Sequence, residues 1–240
     1  MTAMELTREQ LAFFETNGYL AIDRITSDDE VAWFRETYDR ILAKPGPFYI
    51  KYTTGGVIQQ VMSPDVHHPA LRDTEYFRSG RRLACQLIGT SEDELEGYFT
   101  HMIYKPPRAG RSTPWHQDEA YWDKPAILHR SVSVWMPLDP VTAESGCMQF
   151  LPGSHRNDVL RYKRLPGLEP LELDEDVDLS RAVPCPLQPG GATFHHCRTL
   201  HYTAPNVSNL QRRAYAMTFH GPTSRRAEPK PWPWALDAER

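Results

Sequence analysis

The segment His116-Gln117-Asp118 carries an imidazole and a carboxylate two positions apart. On an extended segment, residues i and i+2 point to the same side, so both side chains can reach one metal ion. Such a pair also arises by chance in a chain of 240 residues with 10 histidines, so the motif gains weight only from its surroundings. Aromatic residues, which commonly form the walls of small-molecule sites, flank it at Trp115, Tyr121 and Trp122.

A third ligand would complete a set of two histidines and one carboxylate, which is typical of non-haem Fe(II) oxygenases. The residues alone do not choose it: the downstream candidates are His129, His155, His195, His196, His201 and His220. A zinc cluster built from the run around His195, His196 and Cys197 is disfavoured, because neighbouring residues on a strand point to opposite faces.

The first part of the chain contains the capping motifs that begin helices. Helices are predicted at 8–17, from Ser27 as far as Pro45, at about 73–97, and again from Ser91. A short strand is predicted between the first two helices, at Tyr19 to Ile25. The chain is therefore expected to open helix, strand, helix.

From Tyr98 onward, short apolar runs alternate with proline and glycine. They predict strands at Phe99–Lys105, Thr113–Glu119, Ser131–Leu138, Cys147–Leu151, Ala192–His196 and Arg213–His220. The 21 prolines are spread along the chain, and proline fits turns and strand edges better than helices or central strands. The pattern predicts a mainly β protein with N-terminal helices, as in a sandwich, barrel or jelly roll.

Several motifs, in one order across residues 7 to 221, resemble the phytanoyl-CoA dioxygenase family. They are His101–Pro107, Trp115–Asp118, Ser133–Asp139, Ser145–His155 and Pro189–His196, followed by His201, Asn206 and Arg212. The resemblance implies a double-stranded β-helix, a cupin-like jelly roll, that uses Fe(II), 2-oxoglutarate and dioxygen. It implies one oxygenase domain over 1–222, with a helical layer at about 7–97 and a β core at about 98–222. A tail rich in proline and tryptophan would follow at 223–240.

The resemblance also assigns roles to individual residues. His116, Asp118 and His201 are implied as iron ligands and catalytic residues, and Arg212 as the partner of the distal carboxylate of 2-oxoglutarate. A planar guanidinium suits that carboxylate because it can donate two parallel hydrogen bonds. The further cosubstrate contacts implied are Met102, Lys105, Trp135 and Thr203. Arg213, which alternates to the other face of an extended segment, is the alternative anchor.

The implied activity is a dioxygenase that hydroxylates an unactivated C–H bond of a small molecule and releases succinate and CO2. The family acts on acyl-CoA esters, amino-acid derivatives and secondary metabolites, and the sequence does not choose among them. The basic clusters at 78–82 and 161–164 could meet coenzyme A phosphates, although scattered charge on a solvated face is the commoner explanation. Asp118 argues against halogenation, because related iron halogenases lack this carboxylate. Two alternatives stay open: a cupin-like metalloenzyme without 2-oxoglutarate, and a non-catalytic binding module on the same fold.

Composition narrows the partners and the compartment. A net charge of −4 disfavours a nucleic-acid partner, and no run of 18 apolar residues indicates a membrane span. The first ten residues lack an apolar run of signal-peptide length. The four cysteines lie far apart and are expected to be reduced thiols in the cytoplasm. The oligomeric state stays open.

Overall fold

The computed structural model describes residues 4–44, 46, 49–52, 58–108, 111–122, 126–164 and 171–227. Its α-helices are α1 (Arg8–Asn17), α2 (Asp28–Ala43), α3 (Pro64–His67) and α4 (Glu75–Ile88). The capping box predicted for α1 is present, since the Thr7 side chain accepts from the Gln10 amide and the Gln10 side chain accepts from the Thr7 amide. Gly18 ends α1 with φ of 78°, a left-handed conformation that favours glycine.

Most of the strands are short, as the proline content predicts. In chain order they are β1 (Tyr19–Ile22), β2 (Tyr49–Tyr52), β3 (Ile58–Met62), β4 (Gly97–Lys105), β5 (Thr113–His116), β6 (Ile127–Leu128), β7 (Ser131–Pro137), β8 (Met148–Phe150), β9 (Tyr162–Arg164), β10 (Leu171–Leu173), β11 (Val183–Cys185), β12 (Ala192–His196), β13 (His201–Thr203), β14 (Arg212–His220) and β15 (Ser224–Arg225).

Most strands belong to two antiparallel sheets. The major sheet has seven strands in the order β1-β12-β7-β14-β4-β3-β2, and the minor sheet has four in the order β11-β8-β13-β5. Side chains of the two sheets pack together: Tyr19 of the major sheet stacks on Phe150 of the minor sheet with ring centroids 4.7 Å apart. The mainly β class with N-terminal helices is therefore confirmed, and the two-sheet arrangement is compatible with a jelly roll.

The helices cover the face of the major sheet that points away from the minor sheet. Alternate residues of β14, among them Tyr215, Met217 and Phe219, are buried in the same apolar cluster as Phe34 of α2 and Leu83 of α4. The intervening residues of β14 face the minor sheet instead, because successive side chains of a strand point to opposite sides. One face of the major sheet thus forms the core with the helices, and the other is left for a site.

Several predicted boundaries change, most of the strand ends by one or two residues and the following four by more or in type. The first strand ends at Ile22 rather than Ile25, and the predicted helix at 73–97 ends at Ile88, where Gly89 takes φ of 74°. The capping box at Ser91 is present but begins a 3-10 turn at Glu92–Glu94 rather than an α-helix. The strand predicted at Thr113–Glu119 ends at His116, and a 3-10 turn follows at Asp118–Tyr121.

The predicted tail is described only in its first residues. Ser224 and Arg225 form β15, which pairs with β6. The tryptophans of the tail and its prolines at 229, 231 and 233 lie outside the described residues, as does Pro45 at the predicted end of the second helix. Within the described part of the chain, every helix is too short or too polar to span a lipid bilayer.

Candidate metal centre and cosubstrate pocket

His116 and Asp118 share one side of the chain because the backbone between them is extended. Gln117 has φ of −115° and ψ of 133°. Its own side chain points away and is buried, where its amide donates to the Arg198 carbonyl at 2.9 Å. Strand β13 runs beside β5 with His201 directly opposite His116, and the two imidazole centroids are 4.0 Å apart. Strand pairing therefore supplies the third residue that the local motif lacks.

The three side chains converge with their ligand atoms facing one another. Each of His116, Asp118 and His201 offers one such atom, and all lie within 4.8 Å of one another. The Nε2 atoms of the two histidines are 3.7 and 3.5 Å from Oδ1 of Asp118. Their Nδ1 atoms are 2.8 and 2.9 Å from the carbonyls of Pro114 and Thr199, which fixes Nδ1 as the donor and leaves the Nε2 lone pair for a cation. The donor set fits a divalent iron ion.

The protonation states suit metal binding. Burial lowers the pKa of both His116 and His201, so both imidazoles are neutral and can act as ligands. Burial alone would raise the pKa of Asp118, but His201, His195 and His116 outweigh it, and the net pKa is lowered. The carboxylate is therefore ionised.

Arg212 opens β14 with a guanidinium that is buried yet unpaired. The residue is 1% exposed, and its three side-chain nitrogens have no hydrogen-bond partner among the described residues. Its guanidinium carbon is 5.5 Å from the ring centroid of Trp135. Burial lowers the pKa of Arg212 to about 10, which still leaves it charged at neutral pH. Because a buried charge without a partner is costly, this geometry indicates an anionic ligand.

Arg213, the alternative anchor, is fully engaged on the other face of β14. Its guanidinium donates to Asp139 at 2.7 and 3.0 Å and to Asp39 at 3.0 Å. Only Arg212 of the two is therefore available for a ligand.

A cavity of about 860 Å³ joins the three converging side chains to Arg212. Its volume lies in the range of small-molecule sites. Apolar and aromatic side chains line much of it: Phe99, Ile103, Tyr121, Trp122, Ile127, Trp135 and Met148. Polar lining residues include Gln60, Glu96, His101, Ser133, His195 and Thr218.

The comparisons with known proteins agree with this arrangement. The model of the family described as "Phytanoyl-CoA dioxygenase (PhyH)" matches residues 14–214. The chain belongs to the phytanoyl-CoA dioxygenase family.

Among solved structures, EvdO2 from Micromonospora carbonacea var. aurantiaca, complexed with 2-oxoglutarate, is 36% identical with a TM-score of 0.85, covering 97% of this chain and 98% of that one. The non-heme alpha ketoglutarate dependent carbocyclase SnoK from nogalamycin biosynthesis is 26% identical with a TM-score of 0.76, covering 94% of this chain and 89% of that one. Phytanoyl-CoA dioxygenase domain-containing protein 1 of Danio rerio is 36% identical over 125 residues, which span 49% of this chain and 42% of that protein.

This phytanoyl-CoA dioxygenase family member is therefore an Fe/2-oxoglutarate-dependent oxygenase. Two of its four further predicted cosubstrate contacts, Trp135 and Thr203, line the cavity. Lys105 is buried behind Thr203 and donates to its hydroxyl at 2.7 Å and to the Ala204 carbonyl at 2.8 Å. The expectation for Met102 is corrected: it lies on the opposite face of β4, buried in the apolar cluster beneath the helices.

The remaining candidate histidines line two different cavities. His129, His195 and His220 line the main cavity, whereas His155 and His196 line a smaller one beside α1 and α4. His195 is the one that comes closest to Asp118, with its Nε2 3.3 Å from Oδ2. Sequence reasoning gave no role to Ser133, which donates to Asp118 at 2.6 Å. The available signal was its position two residues before Trp135 on one predicted strand, because residues at that spacing share a face.

Proposed function

We propose that the protein is a dioxygenase that hydroxylates an unactivated C–H bond of a small molecule, with 2-oxoglutarate converted to succinate and CO2. The observation that carries this proposal is a single cavity lined by the His116, Asp118 and His201 cluster and by Arg212, whose guanidinium has no hydrogen-bond partner among the described residues. The two sheets then correspond to the double-stranded β-helix expected for the family.

His116, Asp118 and His201 would hold Fe(II) through two imidazoles and one carboxylate, the ligand set typical of non-haem Fe(II) oxygenases. Bound Fe(II), with 2-oxoglutarate and dioxygen, supplies the oxidising power for C–H cleavage. Arg212 would pair with the distal carboxylate of 2-oxoglutarate through two parallel hydrogen bonds, and its neutralisation by that anion removes the cost of an unpaired buried charge.

Thr203 is suited to donate to the cosubstrate. In the contact between Lys105 and Thr203, the amino group donates and the hydroxyl oxygen accepts. The hydroxyl proton of Thr203 is then directed elsewhere, and the residue lines the cavity. We infer that it donates to a carboxylate of 2-oxoglutarate, with Lys105 as the residue that orients it.

The substrate is a secondary metabolite without phosphate groups. Among the described lining residues, Arg212 is the sole lysine or arginine, and Glu96 adds a carboxylate. The basic clusters of the sequence lie outside that lining and meet acidic residues. Arg81 pairs with Glu92, and Arg161 pairs with Asp174. A coenzyme A ester would find little positive charge in this cavity, whereas the aromatic walls suit an uncharged or amine-bearing ring compound. SnoK acts in nogalamycin biosynthesis, which supports this class.

The four cysteines support a reducing compartment. All are buried and unpaired in the part of the chain that the structure describes. We infer a cytoplasmic location, where thiols stay reduced.

The decisive experiment measures succinate formed from 2-oxoglutarate with Fe(II) added to metal-free enzyme, with and without candidate metabolites. Asp118→Ala and His201→Ala should abolish Fe(II)-dependent succinate formation, and His195→Ala should reduce it less. His155→Ala, outside the main cavity, is the matched control and should keep wild-type turnover. The product of a true substrate should gain one oxygen atom by mass.

Each alternative predicts a different outcome. A cupin-like metalloenzyme without 2-oxoglutarate would bind metal but form no succinate, and Arg212→Ala would leave its activity unchanged. A non-catalytic module would bind without turnover. Undiminished succinate formation by Asp118→Ala would remove that residue from the centre.

A further inference from the structure

The two carboxylate oxygens of Asp118 have different surroundings. Oδ1 faces the Nε2 atoms of His116 and His201, at 3.7 and 3.5 Å. Oδ2 instead accepts a hydrogen bond of 2.6 Å from the Ser133 hydroxyl and lies 3.3 Å from Nε2 of His195. One oxygen is directed to the candidate ligands, and the other is held by residues outside them.

The residues at Oδ2 come from the major sheet, although His116 and His201 come from the minor sheet. His195 of β12 pairs with Ser133 of β7, and Ser133 pairs with Thr218 of β14. These three side chains therefore form one row across the centre of the major sheet. Asp118 spans the gap between the sheets and ends on this row.

The hydrogen bonds in the row have one consistent direction. The ionised Asp118 can only accept, so the Ser133 hydroxyl donates to it. The oxygen of Ser133 is 2.8 Å from that of Thr218, which must then be the donor to Ser133. Nε2 of His195 lies 3.3 Å from Oδ2 of Asp118, and its buried Nδ1 has no hydrogen-bond partner among the described residues. Among the described residues, Asp118 is the one whose carboxylate lies within ion-pair distance of the His195 imidazole.

We propose that Ser133 and His195 are positioning residues that hold Oδ2 of Asp118 and present Oδ1 alone to the metal. The proposal rests on the proposed function. A carboxylate free to rotate can bind a metal through both oxygens and take up a position needed by another ligand. The hydrogen bond from Ser133 and the imidazole of His195, 3.3 Å from Oδ2, oppose that rotation, so coordination through Oδ1 alone would leave a position for 2-oxoglutarate. Residues that orient ligands in this way commonly change metal affinity by 10–100-fold.

The test measures the affinity of the metal-free protein for Fe(II) alone, under anaerobic conditions, by titration calorimetry. We expect Ser133→Ala and His195→Ala each to weaken Fe(II) binding by about 10-fold. The conservative variants Ser133→Thr and His195→Gln keep a donor at the same place and should restore most of that loss. A general loss of packing would not be rescued by restoring one donor.

Thr193→Val is the matched control, because Thr193 is a buried residue of β12 with an unpartnered hydroxyl and it does not touch Asp118. It should leave Fe(II) affinity unchanged. If Ser133→Ala does not fold, Thr218→Val tests the same row more gently, since it removes the donor to Ser133 and should weaken Fe(II) binding by a smaller factor.

Wild-type Fe(II) affinity in folded Ser133→Ala and His195→Ala, with Asp118→Ala still losing the metal, would overturn the positioning role and leave the proposed function standing. Wild-type affinity in Asp118→Ala as well would instead overturn the proposed function. Loss in the alanine variants without rescue by Ser133→Thr and His195→Gln would also count against positioning.

Discussion

Two adjacent arginines of β14 have opposite environments. Arg212 faces the cavity, and its guanidinium has no hydrogen-bond partner among the described residues. Arg213 faces the other way and is saturated by Asp139 and Asp39. Both are buried, so burial does not distinguish them. What distinguishes them is whether the protein itself supplies the counter-charge.

The same contrast holds for two adjacent acidic residues. Asp118 faces the histidine cluster, whereas Glu119 is 0% exposed and forms an ion pair with Arg226. Arg198 adds a second cation 3.6 Å from Glu119. Burial raises the pKa of Glu119, and the two arginines act against that rise.

A buried charged side chain whose counter-charge comes from the protein itself has a structural role. A buried charged side chain without such a counter-charge marks a binding site. For the two arginines, the difference arises because successive side chains of a strand point to opposite faces. For the acidic residues it follows from the 3-10 turn that begins at Asp118. Adjacent residues of one type can therefore be separated into ligand-binding and structural roles, and substitutions should separate them too.

The largest effect is expected for Arg212→Met. Two charge-assisted hydrogen bonds, each of about 1.5–3 kcal/mol, would be lost to 2-oxoglutarate, so its affinity should fall by about 100-fold or more. The free energy of unfolding should stay the same or rise, because an unpaired buried charge is replaced by an apolar side chain of similar length. Calorimetry of 2-oxoglutarate binding to the metal-loaded protein and urea unfolding measure the two quantities.

Arg213→Met is the control and should show the reverse. Asp139 would lose its buried partner, so the free energy of unfolding should fall by about 3 kcal/mol. The affinity of the folded protein for 2-oxoglutarate should change little. If both variants lost cosubstrate affinity equally, the contrast between the two arginines would be wrong.

A somewhat smaller effect is expected for Glu119→Gln. The change leaves Arg226 and Arg198 without a buried counter-charge, so the free energy of unfolding should fall by about 3 kcal/mol in urea titrations. Fe(II) affinity should stay within a few-fold of wild type. Asp118→Asn should do the opposite, with Fe(II) binding lost and unfolding little changed. Loss of metal with normal stability in Glu119→Gln would assign that carboxylate to the centre instead.

Much of the site was predictable from local alternation. The spacing of two between His116 and Asp118 correctly placed both side chains on one side, and Arg212 and Arg213 were expected on opposite faces. His201 could not be chosen in this way. Its strand β13 has only three residues and was not among the predicted strands, and its place opposite His116 depends on pairing between distant segments.

Met102 shows how the same rule could have corrected an expectation. Met102 and Lys105 lie three residues apart on one strand, so they must face opposite sides and cannot both lie on the cavity side. The resemblance placed both beside the cosubstrate, and the structure puts Met102 among the core residues. Conversely, Ser133 shares its face with Trp135 by the spacing that linked His116 to Asp118. The partner of Ser133 lies across the gap between the sheets, which no local pattern encodes.

The smallest expected effect is a dependence of stability on pH that arises on both faces of the major sheet. Burial lowers the pKa of His101, on the cavity, to about 4, and that of His196, beside α1, to about 3. In the unfolded chain both pKa values return to about 6.5. Below that pH the unfolded state takes up protons that the folded state does not, so the free energy of unfolding falls as the pH drops. The loss continues until the pH reaches the folded-state pKa values.

Each of these histidines should contribute up to about 1.4 kcal/mol of lost stability per pH unit below pH 6. Urea unfolding at pH 7, 6 and 5 measures the slope, and His101→Gln and His196→Gln should each flatten it. The amide of Arg198 donates to Nδ1 of His196 at 3.1 Å, and this contact requires the unprotonated nitrogen. The slope should therefore persist in the metal-free protein, where His196 keeps that contact. An unchanged slope in both glutamine variants would mean that other groups cause the acid sensitivity.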